Sequence, residues 1–412
     1  DVQIKKDITS LIEGRDLDLR VSVLPTNEGE KVVISFLDYS KSLSGIASLG
    51  FSKPNLELLK KMINVPNGII LVTGATGSGK STTTYSILQE LNKENVNIIT
   101  VEDPIEMNIE GVNQVQVNSE IGLTFANVLR SILRQDPNII LIGEIRASES
   151  AQIAVRASIT GHLVLSTLHT NNSLSTIERL LDMDVERYLL SSALTGIISQ
   201  KLARRLCPKC RVKRKTTEYE KEIFRFVLHK EIDEVYDVGK CDDCTEGYHG
   251  RIAIQEVLYI NDSLRSSIAN PNTTKEELNK LVYTEDVTTL LADGLEKIIN
   301  GDTTFSEIFK LIEVDLEIKS LRKKFESINS NDSLKSESVS EEASVEVIDE
   351  SPTDNLEVID VNPKENIILN EAKIDNIKVD PVESYFREQP VQDSNVNIYD
   401  LNSHPNEKPY FE

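Results

Sequence analysis

The stretch that decides the fold is Gly74-Ala-Thr-Gly-Ser-Gly-Lys-Ser-Thr82. It fits the pattern G-x-x-x-x-G-K-[ST] and lies between an apolar run, residues 69–73, and a helix-compatible segment, residues 82–91. A phosphate-binding loop requires this strand, loop and helix context, because glycines let the backbone approach phosphate oxygens and the helix N-terminus favours anions. The sequence therefore predicts a nucleoside triphosphate site, and a chance glycine-rich turn is the disfavoured alternative.

The candidate phosphate ligands belong to this loop and to the first turn of the helix that follows it. Lys80 is predicted to reach the β- and γ-phosphates, and the hydroxyl of Ser81 to coordinate Mg²⁺. The predicted cofactors are accordingly ATP and Mg²⁺. The complete predicted nucleotide-binding set is Gly74, Thr76, Gly77, Ser78, Gly79, Lys80, Ser81 and Thr82.

Two further apolar runs end in acidic residues. Residues 97–101 precede Glu102 and Asp103, and residues 138–142 lead to Glu144. Ligands of open α/β sheets bind at the carboxyl ends of the strands, so these carboxylates are expected to face the bound phosphates. One carboxylate can activate the attacking water while another holds hydrated Mg²⁺. A helix cap or a solvated turn is the ordinary alternative for a single acid, but the phosphate loop favours the catalytic interpretation.

A third apolar run carries a histidine at each end, His162 and His169. A single histidine in such a position is more often a hydrogen-bonded residue of the core. The two histidines are nevertheless candidate functional residues, because the same chain carries the phosphate loop and the carboxylates.

Taken together, these motifs resemble those of the secretion ATPases, the motors of type II secretion and type IV pilus assembly. The resemblance extends from about Asp18 to about Glu313. Four motifs carry it in the order and spacing of the family: the phosphate loop, residues 101–106, the block of residues 122–146, and the histidine box of residues 160–171.

The resemblance implies a fold and a set of roles. It implies a RecA-like core with a parallel sheet, assembled as a homohexamer. Glu102 corresponds to a residue that activates water, and Glu144 to one that acts on Mg²⁺ and water. His162 and His169 correspond to residues that couple the nucleotide state to domain position.

The N-terminal segment resembles the last strands of the second N-terminal domain of the family, which normally offers two arginines to the phosphates. Arg20 matches the first arginine, whereas Ser35 stands where the second is expected. Serine carries no charge with which to stabilise phosphoryl transfer, and an arginine finger contributes about 10³- to 10⁵-fold in rate. Slow turnover is therefore expected, and wild-type ATPase activity no lower than that of Ser35→Arg would contradict this expectation.

The four cysteines form two C-x-x-C pairs, Cys207 with Cys210 and Cys241 with Cys244. Four thiolates suit a closed tetrahedral Zn²⁺ site, so a structural zinc is predicted. Two disulfides are the alternative, which a nucleotide-hydrolysing chain without secretory features disfavours. By resemblance, a zinc module followed by Glu256 is typical of assembly motors and not of retraction motors.

Composition adds limits to this interpretation. The chain has 412 residues and a net charge of −22, and residues 331–412 carry 20 acidic and 6 basic side chains. No apolar run approaches the roughly 20 residues of a membrane span, and no signal peptide is present, so a cytoplasmic protein that reaches the membrane only through partners is expected. The acidity and the lack of a basic patch argue against a nucleic-acid partner.

The predicted organisation has four parts. The chain is interpreted as a fragment, since only the end of the second N-terminal domain is recognised. The four parts are residues 1–40, a remnant of that domain with its linker; residues 41–200, the ATPase core; residues 201–330, a helical C-terminal domain with the zinc module at 207–251; and residues 331–412, a disordered acidic tail.

The predicted function is an ATP-hydrolysing hexameric motor that powers the assembly of pilin or pseudopilin subunits. The resemblance implies an inner-membrane platform protein and a cytoplasmic adaptor as partners, at the inner face of the cytoplasmic membrane. The alternatives are a nucleotide-binding scaffold that hydrolyses poorly and, less favoured, a nucleic-acid motor.

Overall fold

The computed structural model describes residues 10–12, 15–37, 45–284 and 286–312, so the predicted acidic tail lies outside the described residues. Near the N-terminus, β1 (Ser10–Ile12), β2 (Arg15–Thr26) and β3 (Gly29–Leu37) form an antiparallel sheet in that order. The register pairs Thr26 with Gly29 across a two-residue turn and Arg20 with Ser35.

A seven-stranded sheet forms the centre of the part from residue 45 to residue 312. Neighbouring strands are parallel except at one edge, where β12 runs antiparallel to β9. The predicted α/β fold with a mainly parallel sheet is confirmed. The strand order is β12 (Tyr248–Tyr259), β9 (Leu194–Leu206), β4 (Gly68–Thr73), β8 (Leu163–Leu168), β7 (Ile139–Ile142), β5 (Ile98–Glu102) and β6 (Asn113–Gln116).

The central strands are the apolar runs of the sequence, and both of their faces are buried. In β4, Ile70 and Val72 pack on one side of the sheet and Ile69 and Leu71 on the other, because successive side chains of a strand alternate. Helices cover both sides, as a parallel sheet requires.

One side is covered by α1 (Lys53–Ile63) and α2 (Lys80–Leu91). The other side is covered by the remaining helices between the strands and by two later ones. These are α3 (Phe125–Ile132), α4 (Ser148–Ile159), α5 (Ser173–Asp182), α6 (Arg187–Ala193), α8 (Asp262–Ala269) and α9 (Lys275–Val282). Short 3-10 turns occur at Ile46–Leu49 and Ser119–Ile121.

A separate apolar cluster lies at the far ends of β9 and β12. It joins α7 (Glu218–Leu228), α10 (Leu290–Ile299) and α11 (Phe305–Leu311) to a two-stranded antiparallel sheet of β10 (Val212–Lys215) and β11 (Glu234–Asp237). Ala203 and Ile254 connect this cluster to the sheet, and the rings of Phe224 and Phe305 pack edge to face at 5.1 Å. The predicted boundary between residues 200 and 201 therefore falls inside β9, which serves both cores.

Among the helices that the structure describes, none combines the length and the apolar character needed to cross a membrane.

Candidate nucleotide site and cysteine cluster

The phosphate loop connects the end of β4 to the start of α2. Gly77 and Gly79 adopt left-handed backbone angles, φ 78° and 87°, which glycine tolerates without strain. Gly79 occupies the N-cap position of α2 and supplies no capping side chain. The first N–H groups of a helix have no partner within the helix, so this end of α2 presents free donors to an anion.

Lys80 folds back over the loop. Its Nζ donates to the carbonyl oxygens of Gly74 at 2.8 Å and Ala75 at 3.1 Å. Burial lowers the pKa of Lys80, and attraction to Glu144 partly opposes that shift. Lys80 and Glu144 therefore lie within electrostatic reach of each other.

The loop residues fit a phosphate and a hydrated cation. Ser78 Oγ is buried and finds no hydrogen-bond partner in the part of the chain that the structure describes. Ser81 and Thr82 are exposed at the start of α2, where their hydroxyls are open to a ligand. An orphaned hydroxyl, free helix N–H groups and an adjacent ammonium form a donor set suited to phosphate oxygens.

Glu144 lies just beyond β7, in a group of charged or titratable side chains. Its carboxylate accepts from Arg146 Nη2 at 2.5 Å, and His169 Nε2 lies 3.4 Å from its other oxygen. The hydrogen bond to Glu144 and a weaker attraction to Asp103 raise the pKa of Arg146 above its ordinary value. The sheet thus brings together Lys80, Glu144, His169 and Asp103, as the strand pattern predicts.

Glu102 has a different environment from the expected one. The residue is buried, with 4% of its surface exposed, and both carboxylate oxygens are engaged. Tyr85 donates to Oε2, while Thr100 Oγ1 at 2.6 Å and Gln114 Nε2 at 3.1 Å donate to Oε1. Glu102 is the last residue of β5 and points to the side of the sheet covered by α2, whereas Glu144 lies past the end of its strand.

The two histidines lie at opposite ends of β8. His169 follows the carboxyl end and contacts Glu144, whereas His162 precedes the amino end, where its Nδ1 donates to Ala157 O at 2.9 Å. At roughly 3.3 Å per residue, the strand separates them by about 23 Å. The structure does not bring His162 to the carboxylates, and the side chain of Arg20 lies outside the described side chains.

Four residues at the site were not identified from the sequence. Arg146 pairs with Glu144, Tyr85 and Gln114 hold Glu102, and Gln200 contacts the phosphate loop. A basic residue two positions after Glu144 was a usable signal for Arg146. The other three lie beside other polar residues in the sequence and carried no distinguishing signal.

The four cysteines converge at the far end of β9 and β12. Cys207 follows β9 and Cys244 precedes β12, and the ladder pairs Leu206 with Tyr248. Cys207 N also donates to Gly247 O at 2.9 Å. The antiparallel register therefore brings together two C-x-x-C pairs that are far apart in sequence.

The geometry of the sulfur atoms fits one tetrahedral metal ion. All four cysteines are free thiols, and their Sγ atoms lie within 4.8 Å of one another. Three of the separations are 3.8 Å for Cys207 to Cys241, 3.7 Å for Cys210 to Cys244 and 3.4 Å for Cys241 to Cys244. Zinc–sulfur bonds of about 2.3 Å in a regular tetrahedron place the sulfur atoms about 3.8 Å apart.

The sequence matches one family over most of its length. Residues 5–310 match the family described as "Type II/IV secretion system protein". "Putative type II secretion system protein E" of Escherichia coli is 45% identical over 311 residues, which are 75% of this chain and 62% of the relative. "Type IV pilus assembly ATPase PilB" of Myxococcus xanthus is 46% identical over 298 residues, 72% of this chain and 52% of the relative. The chain thus spans between 52% and 62% of the length of these two relatives.

Solved structures share the fold. The pilus retraction motor PilT with bound ADP superposes with a TM-score of 0.53 at 28% identity, over 73% of this chain and 75% of that chain. The Legionella pneumophila ATPase DotB has the same TM-score at 22% identity, over 72% of this chain and 73% of that chain, a likeness of fold alone.

Proposed function

Because the chain belongs to the type II/IV secretion system protein family, we propose that it hydrolyses ATP to power the assembly of pilin-like subunits, in type IV pilus biogenesis or type II secretion. One observation carries the proposal. The phosphate loop and Glu144 lie at the same edge of the sheet, with Lys80 within electrostatic reach of that carboxylate. These are the parts that in-line attack of water on a γ-phosphate requires.

The roles of the site residues follow from their chemistry. Lys80 leaves the carbonyl oxygens of Gly74 and Ala75 and binds the β- and γ-phosphates. The free N–H groups at the start of α2 bind phosphate oxygens. Ser81 and Glu144 would hold Mg²⁺, which would supply charge neutralisation for the phosphoryl group. His169, which contacts Glu144, and His162, at the other end of β8, couple the nucleotide state to domain position.

Glu102 is the proposed activator of water, and its environment adds a condition. Three donors hold its carboxylate, so Glu102 must exchange at least one of them to accept a hydrogen bond from the attacking water. Arg20 contributes positive charge to the phosphates from the N-terminal sheet. Its strand neighbour Ser35 does not, and for this reason we expect slow turnover.

The four cysteines bind a structural zinc ion. Cys207, Cys210, Cys241 and Cys244 are reduced and spaced for a closed tetrahedral shell, which leaves no open position for catalysis. A zinc ion held by these cysteines would join the ends of β9 and β12 to the two-stranded sheet of β10 and β11. By resemblance, this module favours assembly or secretion over retraction.

On the scale of the assembly, we propose a RecA-like core in a homohexamer. It works in the cytoplasm at the inner face of the membrane, with a platform protein and an adaptor as partners. We propose a division into residues 1–40, 41–200, 201–330 and 331–412, in which β9 crosses the boundary between residues 200 and 201.

Steady-state Mg-ATPase activity, together with mass from light scattering, tests the motor. We expect hydrolysis by a hexamer that Lys80→Ala and Glu144→Gln both abolish. Glu149→Gln is a matched control, since Glu149 pairs with Arg130 on an exposed surface. Nucleotide binding without turnover, unchanged by Glu144→Gln, would favour the alternative function of a nucleotide-binding scaffold, which the burial of Glu102 and the serine at position 35 support.

Metal analysis of the purified protein tests the zinc site. We expect one zinc ion per chain, and its loss in Cys241→Ser with a lower thermal unfolding temperature. Reducible Cys–Cys cross-links in place of zinc would establish the disulfide alternative.

A further inference from the structure

We propose that Gln200 is a positioning residue that holds the phosphate loop in its nucleotide-binding conformation. The inference deepens the proposed function, since it concerns how the same site binds nucleotide. Gln200 lies on β9, outside the phosphate loop and the helix that follows it.

The amide of Gln200 contacts both sides of the junction between loop and helix. Its Nε2 donates to Ser78 O in the loop at 2.8 Å. Its Oε1 accepts from Thr83 Oγ1, on the first turn of α2, at 2.9 Å. Gln200 is 1% exposed, so water cannot replace either bond at low cost. One side chain therefore ties the loop and α2 to the neighbouring strand.

The length of β9 places Gln200 beside the loop. β4 ends at Thr73, which pairs with Ser199 of β9, and the two hydroxyls lie 3.0 Å apart. β9 continues for seven residues beyond Ser199, ending at Leu206. Gln200 is the first residue past the last pair with β4, and so it lies next to the first residues of the loop.

The glycines at the two ends of the loop reflect this close approach. A Cβ at Gly74 would lie 2.4 Å from the carbonyl oxygen of Gln200, and a Cβ at Gly79 would lie 3.2 Å from its Nε2. The first distance excludes any side chain larger than hydrogen without movement of the backbone. Both ends of the phosphate loop therefore pack closely against β9.

The hydrogen bond to Ser78 O sets the direction of the next N–H group. In a planar trans peptide the C=O and the following N–H point in opposite directions. Because Ser78 O points at Gln200, the N–H of Gly79 points away from β9. Outward-directed N–H groups of this kind form the cradle for phosphate oxygens. Gln200 thus orients a phosphate-binding donor without contacting the nucleotide.

Gln255 is a matched control within the same structure. It is the strand partner of Gln200 on β12 and is 0% exposed. Its side-chain amide has no hydrogen-bond partner among the described residues, so it makes no bond to the loop. Replacing either glutamine changes the same residue type at the same depth, and only Gln200 is bonded to the loop.

The experiment compares Gln200→Leu and Gln200→Glu with Gln255→Leu. Gln200→Glu keeps the acceptor for Thr83 and removes the donor to Ser78, whereas Gln200→Leu removes both. Two quantities are measured on the full chain: the Kd for a fluorescent ATP analogue, and amide hydrogen exchange of residues 74–83 without nucleotide. Circular dichroism melting identifies any variant that fails to fold.

We expect both Gln200 variants, which share the loss of the bond to Ser78 O, to weaken nucleotide binding at least about tenfold, as loss of one hydrogen bond to a buried group does. Exchange in residues 74–83 should quicken, and Gln255→Leu should leave both quantities within about twofold. Unchanged affinity and exchange in the Gln200 variants would overturn the proposal, and so would equal losses in Gln255→Leu. If the wild type binds no nucleotide, the proposed function fails, while the exchange data still decide the role of Gln200.

Discussion

At the residue scale, the two predicted catalytic glutamates differ because of where their strands end. Glu144 lies two residues past β7, at the edge of the sheet, and contacts Arg146 and His169. Glu102 is still within β5, so its side chain follows the alternation of the strand into the layer of α2. The same residue type is available to a ligand in one case and enclosed in the other.

Tyr85 stabilises the enclosed form of Glu102. Its hydroxyl donates to the carboxylate and accepts from Glu106 N at 3.2 Å. Burial, and then the Glu102 carboxylate, raise the pKa of Tyr85 far above its ordinary value, so the phenol remains a donor. We expect Tyr85→Phe to lower the free energy of unfolding by about 1–3 kcal/mol, because a buried carboxylate loses a donor. Urea unfolding measures the change.

A tyrosine on the surface provides the control. Tyr188 also bonds a glutamate, Glu186, but is 58% exposed. Tyr188→Phe should therefore change stability by no more than about 0.5 kcal/mol. Equal losses of stability in Tyr85→Phe and Tyr188→Phe would show that burial does not strengthen the contribution of the Tyr85–Glu102 hydrogen bond.

The burial of Glu256 leads us to expect that the stability of the protein depends on pH. It lies on β12, is 2% exposed and accepts from Ser173 N at 3.0 Å. Burial raises its pKa above the ordinary value of 4.5, and the bonds from Ser173 partly oppose the shift. The folded state therefore binds the proton more tightly than the unfolded state, and the associated stability is lost as the pH rises through the folded pKa.

Glu256→Gln removes this titration and keeps an acceptor for Ser173. We expect the urea midpoint of the variant, relative to wild type, to rise as the pH increases above the ordinary pKa of 4.5. Taking the difference between the two proteins cancels the other titrating groups. A difference that stays constant or falls with pH would contradict the assignment.

At the element scale, β9 is the strand on which the most features depend. It pairs with β4 and β12, carries Gln200 beside the phosphate loop, and ends at Leu206, directly before Cys207. Its 13 residues exceed the six of β4, so one continuous element connects the central sheet to the cysteine cluster. Changes that distort β9 should affect both.

Gly196 is a tightly packed position of β9. A Cβ there would lie 2.5 Å from Met62 Cε of α1 and 2.8 Å from Leu258 O of β12. We expect Gly196→Ala to destabilise the protein by about 1–3 kcal/mol, the usual cost of overpacking. Denaturant unfolding gives the value.

A second variant separates the two clashes. Met62 can yield because its side chain is flexible, whereas the Leu258 carbonyl is fixed in the ladder. Combining Gly196→Ala with Met62→Ala should therefore recover part of the loss, measured as a coupling energy in a double-mutant cycle. Full additivity of the two changes would argue against the contact.

At the scale of the whole molecule, charge restricts the partners. The net charge is −22. Two arginines of the described C-terminal part, Arg204 and Arg214, form ion pairs with acidic side chains. Arg204 bonds Glu246 and Glu307, and Arg214 bonds Glu220. An acidic surface repels the phosphate backbone, which binds through unpaired Lys and Arg.

We therefore expect DNA and RNA to leave the ATPase rate unchanged, even at low salt, where electrostatic attraction is strongest. Steady-state rates with single-stranded DNA, duplex DNA and RNA provide the measurement, with a known nucleic-acid-stimulated ATPase as a positive control. Clear stimulation would restore the nucleic-acid motor as a candidate.

The features that sequence alone determined are local or periodic. The phosphate loop is a contiguous motif, the central strands are apolar runs, and the two C-x-x-C pairs are visible by spacing. Such patterns predicted the α/β class, the edge of the sheet that holds Lys80 and Glu144, and a four-cysteine cluster. They did so because parallel strands bring their carboxyl ends to one edge wherever the intervening chain runs.

Tertiary structure decided which side chains complete the site. Gln200 is more than a hundred residues after the phosphate loop in the chain. It contacts the loop only because the register of β9 on β4 places it one residue beyond the pair of Thr73 and Ser199. Glu102 is enclosed because Tyr85 of α2 packs over the end of β5. Strand register and helix packing depend on the whole core, and no pattern within a short segment encodes them.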